Sequence, residues 1–188
     1  MVPRLAMLNE ERMTSEQKEA CREAIAGKRG KIPTPMIAWL RNPELARRTQ
    51  RLGELLRYQT TLEPHLIELA ILVCARHWTS HLEWTAHKKF AIEAGLDPQI
   101  IADIAGRIDP RFEDDRARVI HGVSKRLLEE GKLADATYNE AVTVLGERGL
   151  VELVSLLGYY CLAAFTLNAF QLGLPENFAP ELEDAPPV

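Results

Sequence analysis

Glu68-Leu-Ala-Ile-Leu-Val-Cys74-Ala-Arg76-His77-Trp78-Thr-Ser80-His81-Leu-Glu83-Trp84-Thr-Ala-His87 is the stretch on which the fold turns. Leu66, Leu69, Ala70, Val73 and Cys74 recur at intervals of three and four, the period of an apolar helical stripe. The helix starts after Thr60 or Thr61, where Pro64 suits the first turn. Trp78-Thr79-Ser80 either breaks this helix or continues it tightly, and helix then resumes as far as Gly95.

Helix signals extend outward in both directions. Thr14 and Gln17 form a capping box for a helix ending near Gly27. The basic, proline-containing segment from Lys28 to Pro35 reads as a connector. Asn42-Pro43 starts a helix carrying Leu45, Leu52, Leu55 and Leu56 at helical spacing. Downstream, Asp97-Pro98 opens a short helix, Phe112 to Glu130 a long one stopped by Gly131, and Asp135 another ending near Gly146. Gly149 opens the last. No run alternates apolar and polar residues long enough for a strand. The expected fold is therefore all-α, a single domain of seven or eight helices in stacked hairpins.

Bulk properties narrow the function classes. A chain of 188 residues with 46% hydrophobic and 27% charged residues supports one well-filled core. The net charge of -4 and the lack of a basic tract give no electrostatic reason to expect nucleic acid. Cys21, Cys74 and Cys161 are odd in number, far apart in sequence and without a CxxC pair, which argues against a disulfide framework and for a reducing, cytoplasmic setting. Met1 to Glu11 lacks the apolar run of a signal peptide. Leu150 to Leu174 is strongly apolar but carries Glu152, Asn168 and Gln171, so it reads as a core or interface helix and no membrane partner is expected.

Chemistry concentrates in the opening stretch, which holds three of the five histidines. Glu83 and His87 lie four apart and share a helix face, with Ser80 and Trp84 completing the patch. A carboxylate beside an imidazole tunes it and fixes its tautomer, giving an acid-base pair that works near neutral pH. Trp78 and Trp84 are expected to help build a dry pocket, and Ser80, Trp84, His81 and Trp78 to contact substrate. An anionic substrate needs a cation, for which Arg57, Arg76 and Arg111 are candidates. His77 and His81 have a spacing that can hold a divalent ion, but there is no HExxH, and packing or hydrogen bonding is the expected role of both. Cys74, inside the apolar stripe, reads as a buried inert thiol.

These residues resemble the carboxymuconolactone decarboxylase family of the alkylhydroperoxidase D-like superfamily. The resemblance is carried by Glu68 to Trp78, Glu83 to His87, Ala91 to Leu96, the run from Leu153 to Phe165, Asn42 to Ala46 and Leu52 to Arg57. It covers residues 33–177, leaving 1–32 as an N-terminal helical extension and 178–188 as a Pro-rich acidic tail. It implies helical hairpins assembled into homo-oligomers, commonly trimers or hexamers. The peroxidase branch uses a glutamate, a CxxC and a histidine; here these positions are Glu68, Ser80, Glu83 and His87, so thiol chemistry of that type is disfavoured. The decarboxylase branch has a glutamate four residues before its histidine, as Glu83 and His87 stand here. The resemblance thus implies a cofactor-free lyase acting on a small carboxylated lactone or β-keto acid, with His87, Glu83 and Glu68 catalytic and no metal. Two alternatives are a peroxide-reducing protein using a single cysteine, Cys74 or Cys161, and a non-catalytic oligomeric binding protein.

Overall fold

The side chain of Thr14 accepts from the Gln17 amide, and Gln17 reaches back to the Thr14 amide, so the expected capping box starts α1 (Ser15–Ala26). A single turn, α2 (Met36–Trp39), follows; the sequence pattern contained no sign of it. Asn42 caps α3 (Pro43–Tyr58) through the Leu45 amide, with Pro43 in the first turn. Then come α4 (Pro64–His77), α5 (His81–Glu93), α6 (Pro98–Ala105), α7 (Asp115–Glu130) and α8 (Asp135–Ala169). The computed structural model describes residues 3–6, 8–175 and 178–183; among them there are eight α-helices, one short 3-10 turn and no strand, folded as one domain.

Helix α4 is the hub. Every residue from Leu66 to Arg76 is buried, so the apolar stripe read from the sequence understates its burial. A helix buried all round must be covered on all sides, and α5, α6, α7 and α8 supply that cover, while α3 packs against α1, α2 and α8. One apolar cluster runs from Ala20 in α1 to Leu182 near the end of the chain. Helix α1 therefore shares the main core, with Leu8, Met13 and Ile32 packed against it. Leu182 is buried as well, and Lys88 pairs with Glu181, so this part of the acidic tail lies against the body; residues 184–188 fall outside the described residues.

The junction between α4 and α5 is a true break. Thr79 has φ 46°, the Ser80 amide donates to the Ala75 carbonyl at 2.8 Å, and the Thr79 amide donates to the Arg76 carbonyl at 3.1 Å. This double closure ends a helix when one residue turns left-handed. Glycine normally takes that position, which is why the sequence left the point open. Asn168 of α8 fixes the turn by donating to the Trp78 carbonyl at 2.9 Å.

Helix α8 bends at Gly146, whose φ of 72° and ψ of 163° lie in a region essentially reserved for glycine. The break falls three residues before Gly149, where the last helix was expected. By length and composition α8 could cross a membrane, yet 56% of its most apolar window is buried within the fold. Its Glu152 also accepts from the Thr61 amide and hydroxyl and pairs with Arg148. Replacing Gly146 by alanine is expected to cost about 1–3 kcal/mol, read as a lower urea midpoint.

Candidate active site

Where α3, α5 and α8 converge beneath the 28–35 connector, the fold leaves a cavity of about 420 Å³. Glu83 and His87 of α5 both line it. Their shared face, expected from the four-residue spacing, is turned inward by the break at Thr79.

The partner of His87 is not the one expected. His87 Nδ1 lies 2.6 Å from Glu68 Oε2, so Glu68, reaching across from α4, orients the ring, and the expectation that Glu83 does so is corrected. Arg57 of α3 donates from Nη2 to the other Glu68 oxygen at 2.7 Å. All three side chains are shielded: 5% of Glu68 is accessible, and 11% each of Arg57 and His87. Burial would raise the Glu68 pKa, but His87 and Arg57 outweigh it and hold the carboxyl below its ordinary value. Burial also lowers the His87 pKa, with Arg57 and Arg29 adding to this and Glu68 opposing it. The direction that follows is an ionised Glu68 and a neutral imidazole. Its Nδ1–H then donates to Glu68, which leaves Nε2 as a free base.

Glu83 is in the opposite state. It is buried, and burial first, then the nearby Cys161 side chain, pushes its pKa well above the usual carboxyl value. Its Oε2 has no hydrogen-bond partner among the described residues. A neutral acid and a neutral base thus sit one helical turn apart on one wall, two groups driven apart in acidity by their surroundings.

Cations gather on the facing side. Arg29 and Lys31 of the connector line the cavity with Arg57. Arg57 stacks over Phe90 at 4.8 Å and over Tyr58 at 5.2 Å, and Lys31 lies 5.9 Å from the Phe90 ring. Tyr159 and Tyr160 of α8 complete the wall, Tyr160 meeting the His87 ring edge-on at 5.0 Å. Burial raises the Tyr160 pKa, so its phenol stays protonated, and its hydroxyl also lacks a partner among the described residues. Gly53 makes room behind: a Cβ there would lie 2.2 Å from the Tyr159 hydroxyl and 2.5 Å from Arg29 Nη2.

The structure sorts the expected contact residues. Trp84 is 1% exposed in the core, and Ser80 is fully buried as the N-cap residue of α5; neither lines the cavity. The expected single patch of Ser80, Glu83, Trp84 and His87 is thereby halved, because Ser80 precedes the helix as its N-cap and Trp84 is taken up by the core. Trp78 packs on His77 and Phe165, and neither it nor His81 reaches the cavity wall. His77 and His81 lie on either side of the break, so their four-residue spacing is not one helix face; among the described residues no group of three or more His, Cys, Asp or Glu is placed to hold a metal ion. Of the three arginine candidates Arg57 lines the cavity, while Arg76 and Arg111 do not. Arg29, Lys31, Tyr159 and Tyr160 were missed as site residues. The basic cluster in the connector was a usable signal for the first two; the tyrosines looked like ordinary core positions.

Compared with known proteins, the chain matches no family model, and no curated protein matches it.

Truncating Glu68 to alanine leaves the Arg57 charge buried and unpaired, and is expected to cost about 3–5 kcal/mol, with glutamine less harmful. Imidazole NMR should find His87 protonated on Nδ1 at pH 7 and titrating below its ordinary value of 6.5.

Proposed function

We propose that this protein is a cofactor-free lyase or proton-transfer enzyme acting on a small carboxylated lactone or β-keto acid, of the carboxymuconolactone decarboxylase kind. One observation carries the reading: a buried neutral carboxyl, Glu83, and a neutral imidazole, His87, share a cavity with Arg29, Lys31 and Arg57. Cations at the wall favour an anionic substrate and then the enolate that develops from it. The Tyr160 hydroxyl, without a partner among the described residues, is available to the same oxygen.

In decarboxylation the carbon–carboxyl bond breaks, CO₂ departs, and its electron pair passes into the adjacent carbonyl system as an enolate. Glu83 delivers a proton to the carbon left behind, and His87 returns a proton from solvent to Glu83. The net change consumes one proton per CO₂ released. In an isomerisation, His87 Nε2 instead takes the proton next to the carbonyl and Glu83 supplies one elsewhere. Glu68 and Arg57 act through His87 by fixing its tautomer. The location proposed is cytoplasmic, in keeping with three free thiols.

Assembly into homo-oligomers, trimers or hexamers, is part of the same proposal. Val151, Val154, Leu162 and Phe165 form an exposed apolar stripe on α8, the kind of face a second copy covers. Light scattering should give a multiple of 21.2 kDa for the native chain and a smaller assembly for Phe165→Glu.

Activity needs His87 unprotonated and Glu83 protonated. The kcat/KM profile should therefore be bell-shaped, falling at low pH as His87 gains its proton and at high pH as Glu83 loses its own. His87→Ala should abolish CO₂ release from carboxymuconolactone and related β-keto acids, and Glu83→Gln should lower kcat by about 10²–10⁴-fold and remove the alkaline limb. Substrate binding with no turnover by the wild type would leave a binding protein in place of an enzyme.

A further inference from the structure

Behind Glu83, outside the cavity, two cysteines that are 87 residues apart in sequence meet: Cys74 Sγ of α4 and Cys161 Sγ of α8 are 3.7 Å apart. The Trp78 indole N–H donates to Cys161 Sγ at 3.3 Å. Cys74 is fully buried, whereas Cys161 is partly exposed; Cys21 is separate. The sequence treated Cys74 as inert and the three thiols as unrelated; tertiary packing makes two of them a pair.

We propose that Cys74 and Cys161 are a reversible dithiol–disulfide site, oxidised by exchange with a small-molecule disulfide, that ties α4 to α8 beside the catalytic cavity. The two sulfurs are already in contact, and a disulfide requires their approach to roughly 2.05 Å. Roles follow from position. Cys161, reachable from solvent, is the attacking thiol; Cys74, enclosed behind it, resolves. The thiol pair also divides its acidity in that sense. Cys161 is lowered to about 7, by the Cys74 thiol first and by Trp78, against the opposing effect of burial. Cys74 is pushed far up by its bond to Cys161 and by burial.

The exchange balances without further reactants. The Cys161 thiolate attacks one sulfur of the external disulfide; an S–S bond forms to Cys161, the external S–S bond breaks, and one thiol leaves. The Cys74 sulfur then attacks Cys161, the mixed S–S bond breaks, and a second thiol departs with the Cys74 proton. Two protein thiols are oxidised and one external disulfide is reduced to two thiols; a dithiol reductant reverses the process. The bond would join the helix that carries Glu68 to the helix that carries Tyr160. On α8, Cys161 turns toward Trp78, off the centre of the exposed stripe. This site does not depend on the proton-transfer reading, since its test requires no turnover.

The native chain is incubated with oxidised glutathione at pH 7.5, and released thiol is counted alongside peptide mapping by mass spectrometry. The expected result is two equivalents of glutathione released, a single Cys74–Cys161 crosslink, an unmodified Cys21 and full reversal by dithiothreitol. Cys74→Ala should stop at a stable mixed disulfide on Cys161 with one equivalent released, and Cys161→Ser should release none. A wild type that stays reduced, keeps glutathione attached to Cys161 or crosslinks through Cys21 overturns the proposal. So does a Cys161→Ser variant that still forms the exchange products.

Discussion

A single buried carboxylate holds the centre of this molecule. Glu68 is enclosed within α4, the most covered helix of the fold, and it keeps its charge because Arg57 and His87 approach its two oxygens from different helices. An unpaired carboxylate at that depth would take up a proton or disrupt the packing around it. Three elements, α3, α4 and α5, must therefore come into register for the core to close. The wall of the cavity is set by the same requirement, because His87 cannot satisfy Glu68 without presenting its other ring nitrogen elsewhere.

Around that contact the fold separates two glutamates that look alike in sequence. Glu68 is held ionised by a guanidinium and an imidazole. Glu83, buried with an oxygen that finds no partner among the described residues and with Cys161 nearby, is held neutral. Their difference comes from neighbours contributed by other helices, and it yields an acid and a base in one cavity at the same pH. The basic connector matters for the same reason. Arg29 and Lys31 reach the cavity from a segment bracketed by α1 and α2, both of which pack on α3, and Gly53 leaves space for the Arg29 and Tyr159 side chains to meet.

Helix α8 serves several of these needs along its length. It buries Leu153, Leu156 and Leu157 in the core and sends Tyr159 and Tyr160 to the cavity. It also sets Cys161 against Cys74 and leaves an apolar stripe facing out. Its apolarity, which on composition alone resembles a membrane segment, is accounted for by the extent to which α4 and the exposed stripe divide its surface. Trp39 of α2 ties its far end by donating to the Thr166 hydroxyl at 3.0 Å.

Local chemistry in the sequence determined the helices. The capping pair Thr14 and Gln17, the Asn42-Pro43 and Asp97-Pro98 starts, and the stops at Gly95 and Gly131 each act within a few residues, and each lies where expected. The turn at Thr79 was less legible, because threonine stands where glycine is usual, whereas the interruption at Gly146 lies where the Asp135 helix was expected to end. The face shared by Glu83 and His87 was also legible, since helical periodicity is local. What only tertiary structure decided is which charges meet: that Glu68 and not Glu83 binds His87, that Arg29 and not Arg76 or Arg111 reaches the cavity, that Trp84 is core, and that Cys74 touches Cys161. Those outcomes depend on contacts between residues far apart in the chain, 87 positions for the two cysteines, and side-chain spacing along one helix carries no information about what a second helix brings against it.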